Sequence, residues 1–356
     1  MVRKVTSLND AGAGTLRAQI LASSAGDVIV FGVRGTINLL SPVNINQPIE
    51  IKGATTLHTV VNLSSVTTGF GILLNPGVGA EVKISGIHLR GKTSIDGALH
   101  VQSGTLVMND CLISSNVTTG PAGAVLVDAG AATKINNTSF FSNGTASGQG
   151  GAINSAGILN LTNCTFGLNG AVFGGAIYIF SGSCNLLNCT LNNNSASSAI
   201  NGHAIYGNAG TITVQNTIIT DPTLSGIVAN NGATWTSYGG NLYRGASGGF
   251  FNSFGSDVFS AALAAGIQTN PITDGYGHRV YRLTAGSPAR DIGTSPGIAL
   301  NILSTDARFA PRIMDGDATP GSFIDAGAVE FTKFTVANNN GGLIPGSLTQ
   351  AINDVN

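Results

Sequence analysis

The sequence predicts an all-β protein, a single-stranded parallel β-helix (solenoid) with a short N-terminal capping helix. Three observations predict it. Two short motifs recur together at a spacing of about 25 residues, the apolar residues between them alternate with a period of two, and the chain holds 50 glycines beside only 9% charged residues. Ordinary globular proteins carry about a quarter charged residues. A surface so poor in charge is wetted by amides and hydroxyls, which suits an architecture whose exposed positions are repetitive stacks.

At 356 residues the chain is long enough for a large core, in one big domain or two. A formal net charge of −1 leaves no electrostatic footprint for nucleic acid or for an anionic membrane, and neither is expected as a partner. Gly, Asn and Ser interrupt every apolar run, so membrane insertion is not expected. The opening "MVRKV" has two basic residues but no apolar stretch behind it, so it reads as a cytoplasmic start or as the cut end of a larger precursor.

Residues 1–27 read as the N-terminal cap. Within them, 14–24 form a short amphipathic run in which Leu16 and Ile20 lie four apart on one helical face. That face can cover the first coil, whose open end would otherwise be an exposed sheet edge. The coils follow over 28–245, first as "DVIVFG", "TINLL", "IEIKG" and "TVVNLS", then as "EVKISGIHLRG", which puts Gly86 and Ile87 in the columns described next.

"MNDCLISSN", "INNTSFFSN", "LTNCTFGLN", "LLNCTLNNN" and "VQNTIITDP" place Asp110, Asn137, Asn163, Asn188 and Asn216 in one column, at gaps of 27, 26, 25 and 28. Beside it run Cys111, Thr138, Cys164, Cys189 and Thr217. A second motif, "DGAL", "AGAV", "GGAI", "GGAI" and "GHAI", aligns Ala98, Ala124, Ala152, Ala176 and Ala204. A helical repeat would show apolar positions at i, i+3, i+4 and i+7 and would tolerate few glycines. Here Ile177 and Ile179 alternate with Tyr178 and Phe180, and Leu159 and Leu161 flank Asn160. Three short strands per coil, separated by Gly- and Asn-rich corners, give on the order of nine coils. The Asn column is then a structural ladder, since stacked amides bond along the axis and Asn tolerates the left-handed backbone of a sharp corner. Cys164 and Cys189 should stack one coil apart in the core, as free thiols, which pack as small hydrophobes, with a disulfide between them as the alternative. The sequons at Asn163 and Asn188 are ladder positions rather than glycosylation sites.

Residues 246–331 read as C-terminal coils and a cap. In 332–356, "GSLTQAI" repeats the cap pattern, with Ser347 and Gln350 at capping-box spacing and Leu348 and Ile352 four apart. Since residues 5–24 already supply a cap, this tail is expected to begin a following module of a tandem array, or to join subunits head to tail in a filament.

F-x-x-N at 140–143 and 166–169, paired with "GGAI" at 150–153 and 174–177, resembles the repeat of polymorphic outer-membrane proteins. "SLNDAGAGTLRAQI", "LTAGSPARDIG" at 283–293 and "DARFAPRIMDGDATPGSFIDAGAVEF" at 306–331 resemble right-handed β-helix surface proteins of the choice-of-anchor type, although no anchor follows. The resemblance implies a right-handed solenoid, a secreted or cell-surface location in a bacterium, and an adhesive or structural role with neighbouring modules, subunits or glycans as partners.

β-Helices also include polysaccharide lyases and glycoside hydrolases, the alternative function. A hydrolase needs two carboxylates facing one sugar, about 5–10 Å apart. Between Lys134 and Asp221 there is no Asp, Glu, Lys or Arg, and Asp96, Asp110 and Asp128 are single acids at corners. His203 stands in a variant of "GGA" with no acid partner, so no catalytic residue is expected. For ligands, the outward positions His100, Leu126, Asn154, Tyr178 and Tyr206 end in two tyrosines on adjacent coils, flanked by Phe180. That stripe fits sugar rings, or packing beneath the C-terminal segment. No cofactor is expected other than Ca2+, for which Asp315, Asp317 and Asp325 in "DGDATPGSFID" offer hard oxygen ligands; a solvated acidic loop is the competing reading.

Overall fold

The computed structural model describes residues 1–220, 228–244, 251–252, 255–260, 266–294, 304–312 and 324–331. They form a right-handed parallel β-solenoid of about nine turns. Its walls are sheets of eleven, ten and eight strands, and every neighbour within them is parallel and one coil away. The expected alternation sets each wall. Leu159 and Leu161 point inward and are fully buried, while Asn160 between them stacks on Asn185 of the next coil.

Between the ten- and eight-stranded walls, four coils add a two-residue strand that the sequence reading did not foresee, at Val117–Thr118, Gly144–Thr145, Gly170–Ala171 and Ser195–Ala196. Each lies one residue after, or directly after, a buried asparagine whose side chain clamps the adjacent coil. Asn116, Asn143, Asn169 and Asn194 form that inner ladder. Each amide donates to the Oδ1 of the next, at 2.9, 3.0 and 2.9 Å, and the same Oδ1 accepts the backbone N–H of the preceding rung. Asn143 and Asn169 are the last letter of the F-x-x-N motif, and Asn116 and Asn194 hold the same place after Ile113 and Leu191. Above them Phe140 and Phe166 stack at 4.8 Å in the core.

The column read from the sequence as the ladder is an outer one. Asp110, Asn137, Asn163, Asn188 and Asn216 all have φ between 46° and 55°, the left-handed conformation expected of that corner. Asn137 donates to Asp110 at 3.2 Å and Asn163 to Asn137 at 3.0 Å. In the GGA motif the first glycine supplies a left-handed corner, with φ 69° at Gly150 and 59° at Gly174. The second allows close approach: a Cβ on Gly151 would stand 2.2 Å from the Gly175 carbonyl oxygen of the next coil. The alanine that follows is buried in every copy. Cys111, Cys164, Cys184 and Cys189 are buried free thiols, the reading given above for Cys164 and Cys189, and burial pushes Cys111 up to about 12.

The helix Leu16–Leu21 covers the N-terminal end with Leu16 and Ile20 buried, and Thr15 caps it by accepting from the Ala18 N–H at 3.2 Å. Ahead of this helix, Val2–Val5 already pairs with Val28–Phe31, so the eleven-stranded wall begins within residues 1–27. At the other end, Phe251–Asn252 and Val258–Ser260 extend two walls beyond residue 245.

Residues 266–331, where described, do not continue the stack. They run along the outside of the ten-stranded wall as a strap containing one antiparallel pair, Ile272–Thr273 with Arg279–Val280. The strap explains why strands Ser139–Phe141 and Thr190–Asn192 are buried on both faces. Phe141, Ile218 and Leu242 point outward and meet Ile267, Tyr281 and Leu283 in a second, smaller core. Residues 332–356 lie outside the described residues.

Candidate functional site

The eight-stranded wall carries the aromatic stripe. In its outward column Asn154, Tyr178 and Tyr206 are in register, and the two tyrosine rings stack at 5.4 Å and 11°. Phe173, from the neighbouring corner, meets Tyr206 edge-on at 5.1 Å. Tyr178 is therefore nearly covered, at 7% exposure, whereas Phe180 is 55% exposed. Asn154 donates to the Pro121 carbonyl, so this corner folds against the wall from outside. Further down the column His100 lies against Phe70 at 4.5 Å, with its Nε2 2.9 Å from Asp128 Oδ1. The described part of the strap lies on the ten-stranded wall and contributes no ring to this stripe. His203 accepts the Ala196 N–H through Nδ1 and so ties a corner.

The second candidate is a cleft of about 160 Å3 that the sequence reading did not assemble. Its floor is the lower end of the outer ladder: Gly53, Gly86 and Asp110 occupy the column, Thr55, Thr56 and Ser85 stand beside it, and Tyr276, His278 and Phe309 of the strap form the far wall. Two glycines take the ladder positions because the coils approach closely there. A Cβ on Gly53 would stand 2.2 Å from the Gly86 oxygen, and one on Gly86 2.8 Å from the Gly53 oxygen.

A turn built on Asp274 orients His278. Asp274 Oδ1 accepts the N–H groups of Tyr276 and His278, each at 2.9 Å, and Oδ2 lies 3.1 Å from the His278 Nδ1. Burial opposes the imidazolium, but the hydrogen bond and charge of Asp274, with the backbone and carboxylate of Asp110, outweigh it and raise the His278 pKa. Burial also raises the Asp110 carboxyl above its ordinary range, only partly offset by the Asn137 hydrogen bond and the His278 charge. Thr56 Oγ1 donates to the Tyr276 carbonyl at 2.7 Å and anchors this end of the strap. The one signal in the sequence was Gly86 in the Asn column, which marks where the ladder stops.

The strap is fastened further along by a buried charge cluster. Arg312 and Glu330, both fully buried, pair at 2.8 Å. Arg312 also donates to the Gly327 and Ala328 carbonyls and, at 2.7 Å, to Asn163 Oδ1. The guanidinium thus takes the ladder acceptor that Asn188 would use, and the Asn188 amide has no hydrogen-bond partner among the described residues.

Of the acidic residues considered for Ca2+, Asp315 and Asp317 lie outside the described residues. Asp325 is buried, accepts the N–H groups of Asp291 and Phe331, and is pushed up by burial to about 6. Among the described residues no group of three or more His, Cys, Asp or Glu is arranged to hold a metal ion. Among them, too, no helix is long and apolar enough to cross a membrane. Among the ladder asparagines that stand in sequons, Asn116, Asn143, Asn163 and Asn188 are buried and Asn137 is half-buried. No protein-family model matches the chain, and no curated protein does either.

Proposed function

We propose that this chain is a rod-like structural and adhesive module of a bacterial surface or secreted protein, one unit of a tandem array or head-to-tail filament that presents a glycan-binding aromatic face. The observation that carries this reading is the stripe on the uncharged eight-stranded wall, where Tyr178, Tyr206 and Phe173 pack ring to ring beside the exposed Phe180. Aromatic faces of this kind lie against sugar rings or partner surfaces, and a rigid solenoid holds them at a fixed spacing. Its partners are neighbouring modules or subunits and host or environmental glycans.

Negative-stain electron microscopy over a concentration series tests the assembly: filaments with a repeat near one module's length support head-to-tail joining, and single rods at every concentration support the array. Glycan-array binding by the purified chain, lost on Phe180→Ala with Tyr206→Ala, tests adhesion, and unchanged binding sinks the role of the stripe.

One observation favours the alternative, a polysaccharide lyase or hydrolase: the ladder-end cleft gathers Asp110 and Asp274 around His278. His278, however, is only 1% exposed and is held by its own turn, which suits anchoring better than proton transfer to a substrate. Release of reducing ends or of unsaturated uronates from a polysaccharide panel would reverse this preference. With Asp325 committed to backbone amides, a Ca2+ site would rest on Asp315 and Asp317, and a melting temperature unchanged by EDTA would remove it.

A further inference from the structure

We infer that the cleft at the lower end of the outer ladder binds one neutral sugar ring, with Asp110 accepting hydrogen bonds from its hydroxyls and Tyr276 and Phe309 walling its apolar edge. The inference rests on the adhesive reading for the class of ligand alone; its site is separate from the tyrosine stripe.

The first argument is the ladder itself. Within it an amide donates to the oxygen one coil nearer the N-terminus, from Asn163 to Asn137 and from Asn137 to Asp110. Asp110, once ionised, accepts and passes nothing on. The next two positions are Gly86 and Gly53, where the close approach of the coils excludes any side chain. The Asp110 carboxylate thus ends the ladder at the cleft it lines, and a ligand hydroxyl group there would supply the O–H donor of the missing rung.

The second argument is the strap turn that carries Phe309. Its φ is 65°, a left-handed conformation that is strained for a bulky L-residue. Asp306 holds it there: its carbonyl accepts the Phe309 N–H at 3.0 Å, and its Oδ1 accepts from the N–H groups of Arg308 and Ala310. The strain does not serve burial, because the ring is 37% exposed. It meets Tyr276, 48% exposed, edge-on at 4.6 Å. Two exposed rings fixed at the rim of a polar cleft are suited to the C–H face of a sugar.

Size and charge narrow the ligand. About 160 Å3 leaves room for one ring, not for an oligosaccharide. Among the described residues no lysine or arginine lines the cleft, and the Asp110 carboxylate disfavours uronates, sulfated sugars and phosphates. Thr55 and Ser85 add hydroxyls to the wall.

The test is saturation-transfer NMR followed by calorimetric titration of the full chain with the methyl glycosides of glucose, galactose and mannose. Asp110→Asn keeps the acceptor for Asn137 but turns the other side of the group into a donor. Phe309→Asn removes the ring and tolerates the left-handed backbone. Each variant should keep the wild-type melting temperature and weaken the best hexoside about tenfold. Failure of all three hexosides to bind, or binding unaltered by both cleft variants, overturns the inference. Binding that survives the cleft variants but disappears with Tyr178→Ala and Tyr206→Ala would leave the adhesive reading standing and this one refuted.

Discussion

The coils between residues 135 and 220 contain no charged side chain, while the strap laid across them is fastened by buried charges. The difference follows from symmetry. In a solenoid each polar group meets a near-copy of itself one strand spacing away, so an amide, which donates and accepts, satisfies its neighbour and is satisfied in turn. The strap crosses the rod without repeating. Its contacts join unlike groups over variable gaps, and long charged side chains such as Arg312 reach where a ladder cannot. The two fastenings meet at Asn163, where the guanidinium takes over a rung.

Predictions that sharpen this contrast run from the largest effect downward. Arg312→Ala removes the donor shared by Glu330, Asn163 and the Gly327 and Ala328 carbonyls, and should destabilise the strap by about 3 kcal/mol. Limited proteolysis should then cut within 266–331 while the four core cysteines stay unreactive to a thiol reagent; thiols exposed together with the strap would show that the two regions unfold as one. In the coils, Asn169→Ala removes an amide that serves Asn143, Phe140 and Asn194, and should cost about 3 kcal/mol of whole-rod stability by thermal unfolding. A cost below about 1 kcal/mol would mean the ladder decorates the coil rather than clamps it.

The third prediction concerns pH. His88 lies under the strap, where burial and the charges of Arg90 and Arg279 lower its pKa from 6.5 to about 4. Its neutral form is the folded one, so its contribution is present above about 6.5 and is lost as pH falls toward about 4. His278 has the opposite sign: its raised pKa gives stability that is present below 6.5 and lost as pH rises through the folded value. Strap protection in hydrogen exchange should therefore peak between the two. His88→Gln should flatten the acid limb and His278→Gln the alkaline one, and limbs unchanged by both would remove these residues from the fastening. Smallest of all, Asn188→Gly keeps the left-handed corner and removes an amide without a hydrogen-bond partner among the described residues, so its unfolding free energy should stay within about 0.5 kcal/mol of wild type.

Much of the rod was legible in advance because a repeat converts sequence spacing into contact. The columns through Asn137 and Ala152, the inward cysteines, and the faces of Leu16 and Ile20 followed from period alone. Less legible was which asparagine carries the clamp. Asn137 and Asn143 recur at nearly the same spacing, and only the path of the chain between corners puts the second inside and the first outside. The cleft was not legible, because Asp110 is a rung in the repeat and comes to line a cleft only when His278 and Phe309 arrive from far along the chain.

The sequence by itself determined a parallel solenoid, its period, its left-handed corners and its capped beginning, since each depends on interactions between one coil and the next. The tertiary structure alone decided that residues 266–331 turn back along the ten-stranded wall, that Arg312 interrupts a ladder, and that two glycines leave Asp110 facing a walled space. Those contacts join residues unrelated by the repeat, and no local propensity or period encodes where such segments meet.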